Sequence, residues 1–497
     1  MPTEMLTTLT ARSISLEIEP RMYVDGAFVE GNETFRTVHP PTETKLADVP
    51  IATKAQVDAA VAAANRASDE WMALSQDERR RRVEAFADIC EEHETQITNL
   101  DVADNGSSIS RLSRDASSGA NSIRYYAGLA PELKGETIPT DDDTLDFTRR
   151  EPYGAVAAIL PFNHPVLFCL QLIATAVVAG NGIVIKPSEY TSLSSLYVAR
   201  LVDESDLFPP GLINIVTGGG AVGARMTEHP DVGMVTFIGS AETGSKVMQG
   251  AATHIAPVML GTGGKNPVIV FPDVDPEEAA EGAVGAMALA WQGQSCGSGS
   301  RLLVHEDVYD EVVSRVVAGF EDATVGDPFD EDVTMGSIVS EQQYEQVLEF
   351  IDIAKDEGAT LLTGGKPVDE YETGYFIEPT VFEVTPDMTI AREEIFGPVL
   401  SVMKWSEYGD VIDLANSTRY GLSASVWTND LDTALTTVED LEAGYVWVNQ
   451  HGPHFAGAPF GGFKQSGIGK KDSIKLLRDH TQVKNVAISL RDRDPLA

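Results

Sequence analysis

The sequence predicts an α/β fold built on parallel sheets, and three observations carry that prediction. Short apolar runs of strand length alternate with helix-length segments from residue 155 onward, the pattern of βαβ units. A second series with the same rhythm begins near Pro267-Val268-Ile269-Val270 and continues to about residue 455. Glycine-rich turns stand where strands hand over to helices, as at Gly218-Gly219-Gly220 and at Gly239.

Taken in order, residues 55–135 read as helical: they are Ala-rich, with periodic apolar positions and the charged run Asp77 to Arg82 on a solvated face. Ala155 to Leu160 is a buried strand, and Pro165 to Ala179 is an apolar helix. Gly182 to Lys186 is a strand, Thr191 to Leu201 a helix, and Ile213 to Val216 a strand. Val235 to Ile238 is the next strand, followed by a helix from Ser240. Thr144 to Arg150 and Gln482 to Leu490 read as strands outside both series that need a partner, with another subunit as one candidate.

A chain of 497 residues is expected to form two or three domains, and 43% hydrophobic residues suffice for large cores. No run approaches the roughly 18 apolar residues of a membrane span. Met1 to Pro20 lacks the basic, apolar, small-residue order of a secretory signal. The three cysteines, Cys90, Cys169 and Cys296, form neither a disulfide framework nor a zinc spacing, so a cytoplasmic setting and no metal site are expected. The net charge of −40, from 76 acidic and 36 basic side chains, repels nucleic acid and anionic membrane. The acids are dispersed along the chain. That distribution suits a salt-adapted, halophilic source, although an ordinary acidic cytosolic enzyme stays open.

Cys296 lies in Gln292-Gly293-Gln294-Ser295-Cys296-Gly297-Ser298-Gly299. Small neighbours let the backbone turn tightly and approach a ligand. Attack on a carbonyl needs the thiolate, hence backbone amides that lower the thiol's pKa. The plain alternative is a buried small hydrophobe, the reading given to Cys169 on its apolar helix. Asn163, on the proline-flanked turn Pro161-Phe162-Asn163-His164-Pro165, carries an amide donor suited to an oxyanion or to satisfying the turn itself.

Lys186, Ser188 and Glu189 close a strand, where ligands of doubly wound sheets collect. Lys186 and Glu189 could grip a ribose, with Glu189 repelling a 2′-phosphate, or simply pair with each other. Gly220 ends the turn Thr217 to Gly220, and Gly239-Ser240 opens a helix whose amino end suits a pyrophosphate.

In this order these segments resemble the aldehyde dehydrogenase superfamily from about Met22 to Leu490. Further support comes from Glu393-Glu394-Ile395-Phe396-Gly397-Pro398-Val399 and Pro459-Phe460-Gly461-Gly462-Phe463-Lys464-Gln465-Ser466-Gly467. The resemblance implies a Rossmann-like NAD-binding domain (1–135 and 155–257), an α/β catalytic domain (258–455) and a small β oligomerisation arm (136–154 and 470–497). It implies a homodimer or homotetramer that oxidises an aldehyde to its acid through a Cys296 thioester, with Asn163 and the Cys296 N–H holding the oxyanion. Lys186, Ser188, Glu189, Gly220, Gly239, Ser240, Glu394 and Phe396 would bind the cofactor, NAD rather than NADP. The Cys296 loop and the Thr262-Gly263-Gly264-Lys265 run resemble members acting on betaine aldehyde, semialdehydes or aromatic aldehydes.

Two positions depart from the family pattern. Gly261 stands where the general-base glutamate is usual, and Lys471 stands where a second acid is usual, with Asp472 one residue off. Without that base, three readings stay open: slow hydrolysis by water ordered by backbone or another acid, acyl transfer to coenzyme A, or an introduced change that traps the intermediate. From another class, an impaired homologue with a structural or binding role remains an alternative. His164 adjoins Asn163 and could line the substrate tunnel, with a proton-transfer role as the less favoured alternative, and His451 and His454 fall where members of the resembled family shape the substrate mouth.

Overall fold

The computed structural model describes residues 7–11, 14–18 and 20–490. The outermost ends of the expected first domain and arm, 1–6 and 491–497, lie outside the described residues.

The helical stretch expected over 55–135 comprises α1 (Lys54–Met72), α2 (Gln76–Glu92), α3 (Glu94–Asn105) and α4 (Ile109–Gly128). Thr53 and Gln56 form a capping box at the start of α1, satisfying amide donors that the first turn leaves open. Gly106 ends α3 at φ +81°, a left-handed conformation that costs glycine little. Small residues set α1 close to the sheet: a Cβ at Gly182 would come 2.2 Å from Ala64 O.

The first sheet has eight strands in the order Gly467–Ile468, Val258–Thr262, Val232–Gly239, Ala155–Ile159, Gly182–Lys186, Ile213–Ile215, Met22–Val24, Ala27–Val29. The strands from Val258–Thr262 through Ile213–Ile215 are mutually parallel. From Ala155–Ile159 the chain moves outward through Gly182–Lys186 to Ile213–Ile215. It then returns to the other side of its starting strand, at Val232–Gly239. Strand order therefore reverses between Ala155–Ile159 and Val232–Gly239, and a crevice opens at such a switch point, outside the carboxyl ends. The helices α5 (Pro165–Val178), α6 (Leu193–Ser205), α7 (Gly220–Thr227) and α8 (Ala241–Ala252) complete the units. The helix expected over 191–201 starts later because Leu193 N, in its first turn, donates to the buried Asp104. It runs on until Asp206 adopts φ +51°.

The second sheet has seven strands in the order Thr360–Thr363, Thr380–Glu383, Val399–Trp405, Arg301–His305, Pro267–Val270, Ser423–Trp427, Tyr445–Val448. All neighbours are parallel except the antiparallel Thr360–Thr363 edge. Both faces of its centre are covered: Val268, Ile269, Val270, Leu302, Leu303 and Val304 are fully buried, as a parallel sheet requires.

Two expectations need correction. The boundary expected at 257/258 falls ahead of Val258–Thr262, which pairs with Val232–Gly239 in the first sheet; the chain passes between sheets only after Thr262. The strands that needed a partner, another subunit being one candidate, pair with each other instead, Thr144–Pro152 against Thr481–Ser489 along their whole length, with Thr137–Ile138 beyond. They lie so far apart in sequence that no local signal joins them.

Candidate active site

A cavity of about 1010 Å³ lies where the two sheets meet. The first sheet contributes residues at the carboxyl ends of its strands: Asn163, Lys186, Ser188, Glu189, Gly220, Gly239, Ser240 and Gly261. The second contributes loops that precede its strands: Gly263 before Pro267–Val270, Cys296 before Arg301–His305, Glu394 and Phe396 before Val399–Trp405. Every residue singled out for catalysis or cofactor binding thus borders one space.

Cys296 is held by its neighbours' carbonyls. Asn266 Nδ2 donates to Cys296 O and to Ser298 O, both at 2.8 Å, while Asn266 Oδ1 accepts from Ser423 N at 3.1 Å. His451 lies behind the loop. Its Nε2–H donates to Gly297 O at 2.9 Å, and its Nδ1 accepts from Ser425 Oγ at 2.6 Å. Burial lowers His451 to about 4, so it stays neutral in that tautomer. Fixing the carbonyls backward leaves the Cys296 and Gly297 N–H groups to favour the thiolate. They do not prevail. Packing around the sulfur raises the thiol above its usual range, with Glu394 adding to the rise and Lys471 opposing it. The expectation of a thiol lowered by amides is therefore corrected: burial outweighs them. Cys169 is buried in the core and pushed up to about 12.

Asn163 is 3% exposed, and among the described residues its side-chain amide has no hydrogen-bond partner. It borders the cavity without satisfying its own turn, which separates the two roles open from sequence.

Lys186 Nζ donates to Gly218 O at 2.6 Å and Pro187 O at 3.0 Å, and lies 3.4 Å from Glu189 Oε2. Burial lowers its pKa. The strand-end ion pair and a cavity-facing position thus coexist. Ser188 Oγ accepts from Tyr190 N at 3.2 Å, shaping that turn. Ser240 caps α8 by accepting from Thr243 N at 3.2 Å, leaving earlier N–H groups of the helix toward the cavity. Glu394 accepts from Gly264 N at 2.9 Å, and burial raises it to about 7. A Cβ at Gly263 would fall 1.8 Å from Glu394 Oε2. Only glycine leaves that carboxylate its place.

Phe396 has φ +55°, unusual for an aromatic residue. Gln343 secures this conformation by donating to Phe396 O at 3.0 Å and Ile395 O at 3.2 Å. Ser466 explains the Pro459–Gly467 run: its Oγ donates to Gly263 O at 2.7 Å and accepts from Gly421 N at 2.9 Å. Asn266, Gln343 and Ser466 escaped the sequence reading as positioning groups. Asn266 alone had a visible signal, a polar residue at a strand entry beside a Gly-Gly-Lys run.

On the far side of Cys296, Lys471 Nζ lies 4.2 Å from the Phe168 ring centre and 5.1 Å from that of Phe460. Asp472 accepts from Gln171 Nε2 on α5 at 2.6 Å. The charge the thiol feels from this segment is that of Lys471. His454 meets Phe460 edge to face, ring centres 4.5 Å apart, and is lowered to about 4, by burial first and then by Lys471. His164 Nδ1 lies 2.7 Å from Asp115 Oδ2.

The aldehyde dehydrogenase family model matches residues 28–486. A putative aldehyde dehydrogenase, DhaS, of Bacillus subtilis is 41% identical over 479 residues, covering 95% of this chain and 96% of that protein. Hydroxyisobutyraldehyde dehydrogenase of Mycolicibacterium austroafricanum is 39% identical over 475 residues, covering 95% and 94%. The NAD+ complex structure of an aldehyde dehydrogenase from Bacillus cereus superposes with a TM-score of 0.93 at 39% identity, covering 98% of this chain and 100% of that one.

Proposed function

Because this chain belongs to the aldehyde dehydrogenase family and oxidises an aldehyde to its acid with NAD, we propose that Cys296 is the nucleophile and carries the acyl group as a thioester. The observation that supports this most is the shared cavity, in which Cys296 and the unpartnered Asn163 amide meet the strand-end loops of the first sheet.

The residues fit the cofactor. Gly263 leaves the Glu394 carboxylate a place at the cavity wall that a Cβ would take. Lys186, Ser188, Glu189, Glu394 and Phe396 would hold the riboses, and Gly220, Gly239, Ser240 and the amino end of α8 the pyrophosphate. Glu189 favours NAD over NADP by repelling a 2′-phosphate. The chemistry that NAD supplies when bound is hydride acceptance. Cys296 Sγ bonds to the aldehyde carbon while the Asn163 amide and the Cys296 N–H hold the charge on oxygen. Once that carbon is oxidised, Sγ holds the acyl group until water releases the acid.

The eight-stranded sheet with its helices serves as the cofactor-binding domain, the seven-stranded sheet as the catalytic domain. The three-stranded arm is the oligomerisation element of a homodimer or homotetramer. Its outer strand, Thr481–Ser489, exposes Val483 and Ile488, with Leu490 just beyond, and an open apolar edge is a template for a second chain. No helix among the described residues is long and apolar enough to cross a membrane. Cys90, Cys169 and Cys296 are free thiols, in keeping with a reducing cytoplasm, and the charge of −40 with a salt-rich one.

The test is NADH formation with a panel of betaine, semialdehyde and aromatic aldehydes at high salt, with and without coenzyme A. Wild type is expected to turn over without coenzyme A, and Cys296→Ser to fall to background. Undiminished NADH from Cys296→Ser would remove the thioester. Turnover only with coenzyme A would move the product from acid to acyl thioester, the outcome Gly261 leaves room for.

A further inference from the structure

The geometry points to His164 as the general base that releases the acyl group in this chain, with Asp115 as its positioning residue. This rests on the reading of Cys296 as the acylated nucleophile.

The need arises at Gly261. A side chain there is not forbidden: a Cβ would meet only Ile238 Cγ1 at 3.5 Å and Cγ2 at 3.8 Å, ordinary contacts. The glycine therefore removes a functional group without serving the packing. On the cofactor side, Glu394 accepts from Gly264 N–H, which ties its carboxylate to the loop before the second sheet.

His164 immediately follows Asn163 and stands at the entry to α5. Asp115, on the buried face of α4, meets its Nδ1 at 2.7 Å. The two side chains are 16% and 7% exposed. A carboxylate only accepts, so Nδ1 carries the hydrogen and Nε2 keeps its lone pair. This is how an acid orients a histidine base in hydrolytic sites on unrelated folds. The ring lies 5.3 Å from Trp291, in the turn that leads into the Cys296 loop, and 5.7 Å from Phe168.

From Phe168 the wall continues to Cys296. The Lys471 ammonium spans the Phe168 and Phe460 rings. Phe460 belongs to the small apolar cluster against which Cys296 packs. Among the described residues no carboxylate pairs with Lys471, in a chain where acids outnumber bases 76 to 36. Its charge reaches the thiol instead and favours the sulfur as a leaving anion. His164, Phe168, Lys471 and Phe460 thus form a chain of side-chain contacts that runs from the residue after Asn163 to the cluster against which Cys296 packs.

In the proposed step, water gives a proton to His164 Nε2 as its oxygen bonds to the thioester carbon. The C–S bond breaks, the acid leaves with the new oxygen, and Sγ departs as thiolate. The imidazolium returns its proton to Sγ, restoring both groups.

The test uses the full-length protein and p-nitrophenyl acetate, an activated ester that acylates the thiol directly and releases p-nitrophenolate. Wild type should turn over steadily. His164→Gln and Asp115→Asn should keep the first, stoichiometric release of p-nitrophenolate. Their steady rate should fall by about 10²-fold or more, the scale of general-base help, while an acetyl adduct on Cys296 accumulates by intact mass. Free imidazole should restore the rate of His164→Ala, and Gly261→Glu should restore that of His164→Gln. Recovery with imidazole is not expected if the dyad merely braces α4 against α5. A His164→Gln steady rate within about twofold of wild type, or no recovery with imidazole, overturns the assignment. Failure to find any acetyl adduct on Cys296 in all variants would instead sink the reading on which it rests.

Discussion

The two sides of Cys296 are built differently. Toward the cofactor, the chain presents strand-end backbone and short side chains whose places are dictated by shape. A Cβ at Gly263 would displace the Glu394 carboxylate, and a Cβ at Gly264 would lie 2.8 Å from Cys296 O. Toward the substrate, His164 and Phe168 at the start of α5 meet Phe460 and Lys471, far along the chain, through their side chains. Gly261, at a strand end of the first sheet, has room for a Cβ it lacks. Where backbone geometry fixes the residue, the family pattern persists; where only side-chain chemistry is at stake, this chain departs from it.

Asn163 sits on the seam and gives the sharpest way to break that division. Asn163→Ala is expected to lower kcat by about 10²–10³-fold, as removal of one oxyanion donor does. NAD affinity, followed by quenching of protein fluorescence, should stay within about twofold of wild type, an allowance below the ~1.4 kcal/mol of a tenfold change. A comparable loss of NAD affinity would place the amide with the cofactor and erase the seam.

A smaller effect is expected at Glu189, wholly on the cofactor side. Glu189→Gln removes a carboxylate 3.4 Å from Lys186 Nζ. That frees the ammonium for a 2′-phosphate and lifts a like-charge repulsion. The ratio of kcat/KM for NADP over NAD should rise about tenfold, equivalent to ~1.4 kcal/mol. Rates with saturating NAD should hardly change. An unchanged ratio would show that the ribose lies away from Glu189.

Much of the cofactor side was legible because strand, turn and helix follow each other within a few residues. Pro267–Val270 and Gly182–Lys186 coincide with the strands read from their apolar runs, and Ser240 caps its helix as its position suggested. The substrate side was not, because its contacts are remote in sequence. Asp115 reads as one more polar residue on α4 until folding sets it against His164. The arm hid its pairing in the same way, Thr144 meeting Ser489. The amide donors around Cys296 were foreseeable; their defeat by burial was not, since spacing carries no information on how closely Phe460 and Trp447 pack. The second sheet's use of loops ahead of its strands was equally hidden, because it depends on how two sheets face each other.

Lys265 marks where legibility ends even on the cofactor side, and it yields the smallest expected effect. It read as the last residue of a motif. In the fold it is 1% exposed, and among the described residues its Nζ has no hydrogen-bond partner. A cavity of about 10 Å³ beside it is at the lower limit for one water. Burial, then Arg301, lowers its pKa to about 7, while Glu394 and Glu393 pull it back up. An unfolded lysine titrates near 10.4, so between these values the native state binds fewer protons than the unfolded chain. Stability therefore rises with pH across that window, and the full penalty applies below about pH 7. Lys265→Met replaces the ammonium with an apolar group of similar length and should raise Tm most at pH 7 and below. The gap to wild type should close as pH approaches 10. A gap that stays constant from pH 6.5 to pH 10 would mean that the ammonium finds a partner in the fold, and that the cofactor side carries no unpaired buried charge behind Glu394.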